Sequence, residues 1–220
     1  MKAKTLGLIH TSATLVPVFQ NLCTQYLPDV KVFNIVDDSL IKDVIARNEL
    51  TKLTSRRVVD YVGSAEAAGA DFILVTCSSI GAAIEAAAEL TGVPVLRVDQ
   101  PMADLAVKTG KRIGVIATLP TTLGPTSDLV KRRAILAGKE IELTSKLCDG
   151  AFEALMSGNA AQHDEMVAKA LIELSAVVDV IVLAQASMSR VVDGLSEEQK
   201  RIPILASPAL AIQHIADLLK

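Results

Sequence analysis

The chain has 220 residues, a formal net charge of −3, half its residues hydrophobic, and only four Phe, two Tyr and no Trp. That length allows one large α/β domain or two small ones, built in either case around an aliphatic core. Mixed charge without a basic face argues against nucleic acid as a partner, and no apolar run approaches the length of a membrane span.

The opening MKAKTLGLIHT runs straight into a strand over residues 5–9, so no signal peptide is expected. His10, Thr11 and Ser12 end that strand. A helix follows over 15–26, with Pro17 tolerable in its first turn. Residues 31–36 read as a second strand, closed by Asp37, Asp38 and Ser39. A short helix over 40–46 and a long one over 53–68 come next.

Then comes ADFILVTCSSIG, residues 70–81. Its run Phe72-Ile73-Leu74-Val75 has the length and branching of a strand buried on both faces. It stops at Thr76-Cys77-Ser78-Ser79, and an alanine-rich helix begins at Ile80. Cys77 should therefore stand where a parallel strand meets a helix N-terminus. Free N–H groups there favour an anion and lower a thiol pKa. Ser78 and Ser79 suit capping and anion contact. The bland alternative is a small buried hydrophobe. A fourth strand over 94–98 and a crossover at Asp99-Gln100-Pro101 lead into a helix over 102–109, which Gly110 ends.

A new strand opens at Ile113 and runs to Ala117. TLPTTLGPTS, residues 118–127, reads as a hydroxyl-dense loop, with a helix from Leu123 or Ser127 to about Ala137 and Gly138 as its stop. A strand over 140–145, a turn at Cys148-Asp149-Gly150 and a helix over 160–174 follow. Strands over 180–183 and 202–205 and a closing helix over 208–219 complete the chain.

The second half repeats the first. VDVIVLAQASMSRVVD lies on ADFILVTCSSIGAAIE without a gap, placing Asp179 on Asp71, Ser187 on Ser79 and Gln185 on Cys77. RIGVIAT matches TLGLIHT, with Gly114 on Gly7, and IPIL matches VPVL. Three blocks in one order argue for two copies of one α/β unit. The expected fold class is therefore α/β, with two similar parallel-sheet halves related by a pseudo-twofold axis and a cleft between them. The expected domains are residues 1–98 with part of the C-terminal helix (207–220), and residues 99–206. Ligands of open parallel sheets bind beyond the strand carboxyl ends. The expected lining is His10, Thr11, Cys77, Ser78 and Ser79 from one half. Thr118, Thr121, Thr122, Gln185, Ala186 and Ser187 line it from the other. This lining lacks Lys and Arg, so a small carboxylate would be held by hydroxyls and helix N-termini.

Other chemistries find no motif. GxGxxG and GxxxxGK[ST] are missing, as is GxSxG. The three histidines are scattered and no protein-built metal site is expected. Three cysteines without paired spacing fit a reducing cytoplasm.

VTCSSIG, RIGVIATLPTT and VIVLAQASM together resemble the aspartate/glutamate/hydantoin racemase superfamily, which includes maleate isomerases and arylmalonate decarboxylases. The likeness covers nearly the whole chain. It implies a cofactor-independent enzyme acting on a small carboxylate, with Cys77 as the first catalytic thiol. It implies Ser78 and Ser79 as carboxylate contacts, with Thr118 and Thr121 on the family's second-half threonines. His10 and Thr11 fall where many members carry a polar pair. A homo-oligomer is the expected state.

One departure matters. The family's second cysteine, which faces the first across the α-carbon, is here Gln185. An amide hydrogen-bonds but does not titrate near neutrality, so it cannot return a proton. Proton transfer at one face, one-thiol decarboxylation, or carboxylate binding without catalysis all remain open. His10 is the spare acid or base, since imidazole titrates in the useful range.

Overall fold

The computed structural model describes residues 3–219. They divide into two compact units, residues 3–100 with 208–219, and Pro101–Ser207. In chain order the first unit holds β1 (Thr5–His10), α1 (Leu15–Tyr26), β2 (Lys31–Val36), α2 (Ser39–Arg47) and α3 (Lys52–Ala67). It continues with β3 (Phe72–Val75), a 3-10 turn (Ser78–Ile80), α4 (Gly81–Ala88) and β4 (Val95–Arg97). After α5 (Gln100–Thr109) come β5 (Arg112–Ala117), α6 (Pro120–Leu136), β6 (Glu142–Leu147), α7 (Ala151–Met156) and α8 (Ala160–Ser175). Then follow β7 (Val180–Leu183), a second 3-10 turn (Ala186–Met188), α9 (Ser189–Asp193) and β8 (Ile204–Ala206). Helix α10 (Ser207–Leu218) closes the chain, and its Ala211, Ile212 and Ile215 pack with Leu6 and Leu8 in the first unit.

Each unit carries a four-stranded parallel sheet, ordered β2-β1-β3-β4 in one and β6-β5-β7-β8 in the other. The duplication reaches individual hydrogen bonds. Thr76 N donates to Ile9 O at 2.9 Å, and Ala184 N to Ile116 O at 3.0 Å. Asp71 and Asp179, each just before the central strand, accept from the backbone N–H that starts β1 and β5 respectively, both at 2.8 Å. A carboxylate there holds the otherwise unpaired amide at a sheet corner.

The apolar strand runs follow from helices on both faces. Ile9, Ile73 and Val75 point to the face covered by α2, α3 and α4, where Leu40, Val44, Val58, Val62 and Ile84 meet them. Leu6, Leu8 and Leu74 point to the face covered by α1 and α10. In the second unit Ile116, Ile181 and Leu183 pack against α7, α8 and α9.

Three sequence expectations require correction. Residues 120–127 are not loop: α6 begins at Pro120, with Pro125 inside it. Proline at the first helical position lacks only an N–H that would go unused, so the element starts there instead of later. Strands β6 and β8 start two residues later than expected, at Glu142 and Ile204. Their start is set by pairing, since Arg112 faces Glu142 and Ile181 faces Ile204. Finally, neither Ser78 nor Ser79 stands at a helix N-cap: Cys77 precedes the 3-10 turn and Ile80 precedes α4.

Candidate functional site

In the first unit β1 and β3 end side by side, with Ile9 paired to Val75. His10, the last residue of β1, is fully buried. Its Nδ1 lies 2.8 Å from Thr76 Oγ1 and its Nε2 3.0 Å from Asn34 Oδ1. Its ring stacks obliquely on Phe19. Burial lowers its pKa, and the Asn34 contact offsets only part of that. The expectation of His10 as a spare acid or base therefore meets a ring with both nitrogens already engaged inside the fold. It holds Thr76, the residue before Cys77.

Cys77 has an extended backbone, φ −137° and ψ 117°, immediately ahead of the 3-10 turn. Its thiol is drawn two ways. Burial pushes its pKa up and prevails, while hydrogen bonds from Thr11 and from the backbone N–H groups of Ser79 and Ile80 favour the thiolate, and the charge of Asp99 disfavours it. The expected lowering by a helix start is thus present as a component but outweighed. Thr11, Ser78 and Ser79 are buried around the same strand end. Helix α2 covers the turn, with Leu40 and Val44 in one apolar cluster with Ile80.

The sequence reading left two charged groups out of this end. Arg97 ends β4 with 3% of its side chain exposed, and Asp99 is fully buried. Arg97 Nε and Nη2 donate to the two oxygens of Asp99 at 2.9 and 2.8 Å, and Nη1 donates to Glu85 at 2.6 Å. The repeat held a signal. In the paired registers Arg97 stands where the second half has Ala206, and Gly81 where it has Ser189. A further cluster closes the end of β2. Asp37 accepts from Ser39 N at 3.0 Å and Tyr61 OH at 2.7 Å, and pairs with Arg57.

In the second unit Thr118 follows β5 as Thr11 follows β1. Gln185 Oε1 accepts from Thr118 N at 2.6 Å and from Thr118 Oγ1 at 3.1 Å. Gln185 therefore occupies its strand end as Cys77 does the other, each met by the threonine that follows the neighbouring strand. With Oε1 spent on Thr118, the amide Nε2 is the donor that Gln185 has left to offer. Thr121 lies in the first turn of α6, and its hydroxyl is buried without a hydrogen-bond partner. Thr122 is buried beside it. Ser187, on the second 3-10 turn, is exposed. Cys148, at the end of β6, is buried, and burial pushes its pKa to about 11. Among the described residues no group of three His, Cys, Asp or Glu side chains could hold a metal ion. No described helix is long and apolar enough to cross a membrane.

Residues 6–215 match the family model for Asp/Glu/Hydantoin racemase. The chain belongs to that family. Solved structures of the family's fold align over nearly the whole chain. One is a candidate Asp/Glu racemase from Yersinia pestis, 20% identical with a TM-score of 0.76, covering 99% of this chain and 100% of that one. Another is the Picrophilus torridus aspartate racemase, 16% identical with a TM-score of 0.74, covering 98% and 95%. A third is the Francisella tularensis glutamate racemase in complex with D-glutamate, 13% identical with a TM-score of 0.73, covering 100% and 82%. No curated protein matches the chain by sequence.

Proposed function

We propose that this racemase-family chain is a cofactor-independent enzyme that moves a proton at the α-carbon of a small carboxylate. Cys77 is its proton-transferring thiol and Gln185 a substrate contact in place of a second cysteine. The observation that carries the reading is the matched pair of strand ends, Thr11 with Cys77 and Thr118 with Gln185. Membership of the family supports the reaction class, and a relative that holds D-glutamate supports a carboxylate ligand.

In the step itself Cys77 first gives its own proton to water, and the resulting thiolate takes the α-proton. The C–H electron pair stays on carbon as an enolate, and the same thiol gives the proton back to the same face. Thr11 and the N–H groups of Ser79 and Ile80 steady the sulfur while it is charged. Ser78, Ser79, Thr118, Thr121 and Ser187 are the proposed hydroxyl contacts, and His10 acts by fixing Thr76.

A second reading rests on the raised pKa of Cys77, which keeps the resting thiol protonated. A protonated thiol is poised to give a proton first. In decarboxylation the C–C bond breaks, carbon dioxide leaves, the carbanion takes the thiol proton, and water reprotonates sulfur.

The experiment that separates these readings is incubation in deuterium oxide with single enantiomers of aspartate and glutamate, and with 2-substituted malonates. Exchange with retained configuration supports one-faced proton transfer, and carbon dioxide release supports decarboxylation. Binding of these acids with neither event, in the wild type, would leave a carboxylate-binding protein and overturn both readings.

A further inference from the structure

The face of Gly81, the first residue of α4, is occupied by the Arg97 guanidinium. A methyl group at Gly81 would stand 2.3–2.4 Å from its central carbon and both terminal nitrogens, far inside van der Waals contact. The same guanidinium is held by both Asp99 oxygens and by Glu85, one turn further along α4. One planar cation thus ties the end of β4 to the first turn of the helix that follows Cys77. The second half has Ser189 and Ala206 at the paired places, so this tie is confined to the thiol-bearing half.

We infer that Arg97 is a positioning residue for the Cys77 turn. Clamped by Asp99 and Glu85 and seated on Gly81, it fixes residues 77–81, so that the Ser79 and Ile80 amides stay on the sulfur. Bidentate guanidinium–carboxylate geometry suits this task, because it sets orientation as well as distance. A buried ion pair is seldom kept for stability alone, since desolvation consumes much of its attraction. Here the pair also places an anion, Asp99, where it acts on the thiol.

Other charged groups around the turn are engaged locally. On the α2 side Lys42 pairs with Asp38 and Arg47 with Asp43, Asp37 pairs with Arg57 of α3, and His10 of β1 is held by Thr76 and Asn34. Glu85 on α4 meets Arg97 itself.

This inference rests on the reading of Cys77 as the working thiol, but its test does not need turnover. The rate of iodoacetamide labelling at Cys77 is followed against pH by peptide-resolved mass spectrometry, which separates it from buried Cys23 and Cys148. Asp99→Asn removes the anion with little change of shape, so the profile should move to lower pH. Labelling near neutrality should rise about threefold or more. Gly81→Ala displaces the guanidinium and the turn, so the profile should move to higher pH and labelling should fall by a similar factor. Opposite shifts support the clamp. A role confined to stability would move both profiles together or neither, and that result overturns it. Gly81→Ala alone also decides, because it displaces the guanidinium without touching Asp99, and an unmoved profile in that folded variant contradicts the inference. Should neither fold, hydrogen exchange on the wild type decides. Protection of the Ile80 and Gly81 amides equal to that of β4 supports the clamp, and rapid exchange there overturns it. If the thiol profiles shift as stated while no carbon acid is turned over, the clamp stands and the proposed function falls.

Discussion

Cys77 is a thiol whose surroundings disagree. Cys77 is half-buried; desolvation raises its pKa, while Thr11 and two backbone amides are arranged for its anion. Such a group resists ionisation at rest and is supported once charge develops, which suits a proton carrier better than a standing nucleophile. Cys77→Ser keeps the shape but supplies a far weaker acid. The variant should stay folded by circular dichroism and lose about 10²- to 10⁴-fold in proton-transfer rate, and full activity would remove the thiol from the mechanism. His10 gives a stability prediction with a definite sign. Its folded pKa lies below the ordinary value of 6.5, so its contribution is fully present above that value. As pH falls, the unfolded chain binds a proton before the folded one does, and the contribution is lost through the folded pKa. The urea midpoint should drop between about pH 7.5 and pH 5.5, and His10→Gln should flatten that drop. A midpoint rising toward acid would contradict it. At this scale the sequence displayed Cys77, because a cysteine at a strand end is visible as a string. It concealed the Arg97–Asp99 pair, because a buried salt bridge is a fact of three dimensions, and Asp99 after a strand reads as a turn residue. It also hid the surroundings of His10, whose partners Asn34 and Thr76 come from two other segments.

Elements were legible where local pattern and tertiary demand coincide. The runs of β1, β3, β5 and β7 are apolar without alternation because helices cover both faces, and that pattern is written in the sequence. Only the first turns of helix α6 were not legible, because Gly124 and Pro125 punctuate them and look like loop. In the fold Pro120 starts the helix and the buried face formed by Thr122, Thr126, Leu129 and Val130 holds it there. The repeated glycines have a physical reason at this scale. At Gly114 a methyl would come within 2.7 and 2.9 Å of two atoms of Leu174 on α8 and 3.2 Å of Val178. At Gly7 the nearest atom is the tip of Phe33 at 3.0 Å, followed by two alanine methyls at 3.3 and 3.4 Å. Gly114→Ala should therefore destabilise by about 1–3 kcal/mol in urea denaturation, whereas Gly7→Ala should cost about 1 kcal/mol or less. Equal costs would mean that helix α8 gives way more easily than its packing indicates.

The whole molecule is one α/β plan used twice, and the proposed functional asymmetry lies in a few residues that break the repeat. Strand order, pairing register and the acidic corner at Asp71 and Asp179 are shared. In the repeat Cys77 corresponds to Gln185, Arg97 to Ala206, and Gly81 to Ser189. The family was readable from the three matched blocks and the strand-end cysteine, although the solved relatives are only 13–20% identical to this chain. The particular reaction was not, because the role proposed for Gln185 turns on an amide whose oxygen Thr118 holds, a contact between two segments far apart in sequence. The central claim is that one thiol works alone here, and Gln185→Cys tests it most directly. The substitution restores a second thiol at a strand end already furnished with a threonine partner and changes little volume. The measurement is α-deuterium exchange in deuterium oxide, followed with chiral analysis, on each enantiomer of a small carboxylate. The account predicts exchange with retained configuration in the wild type and racemisation in Gln185→Cys. Efficient interconversion of both enantiomers by the wild type would contradict it.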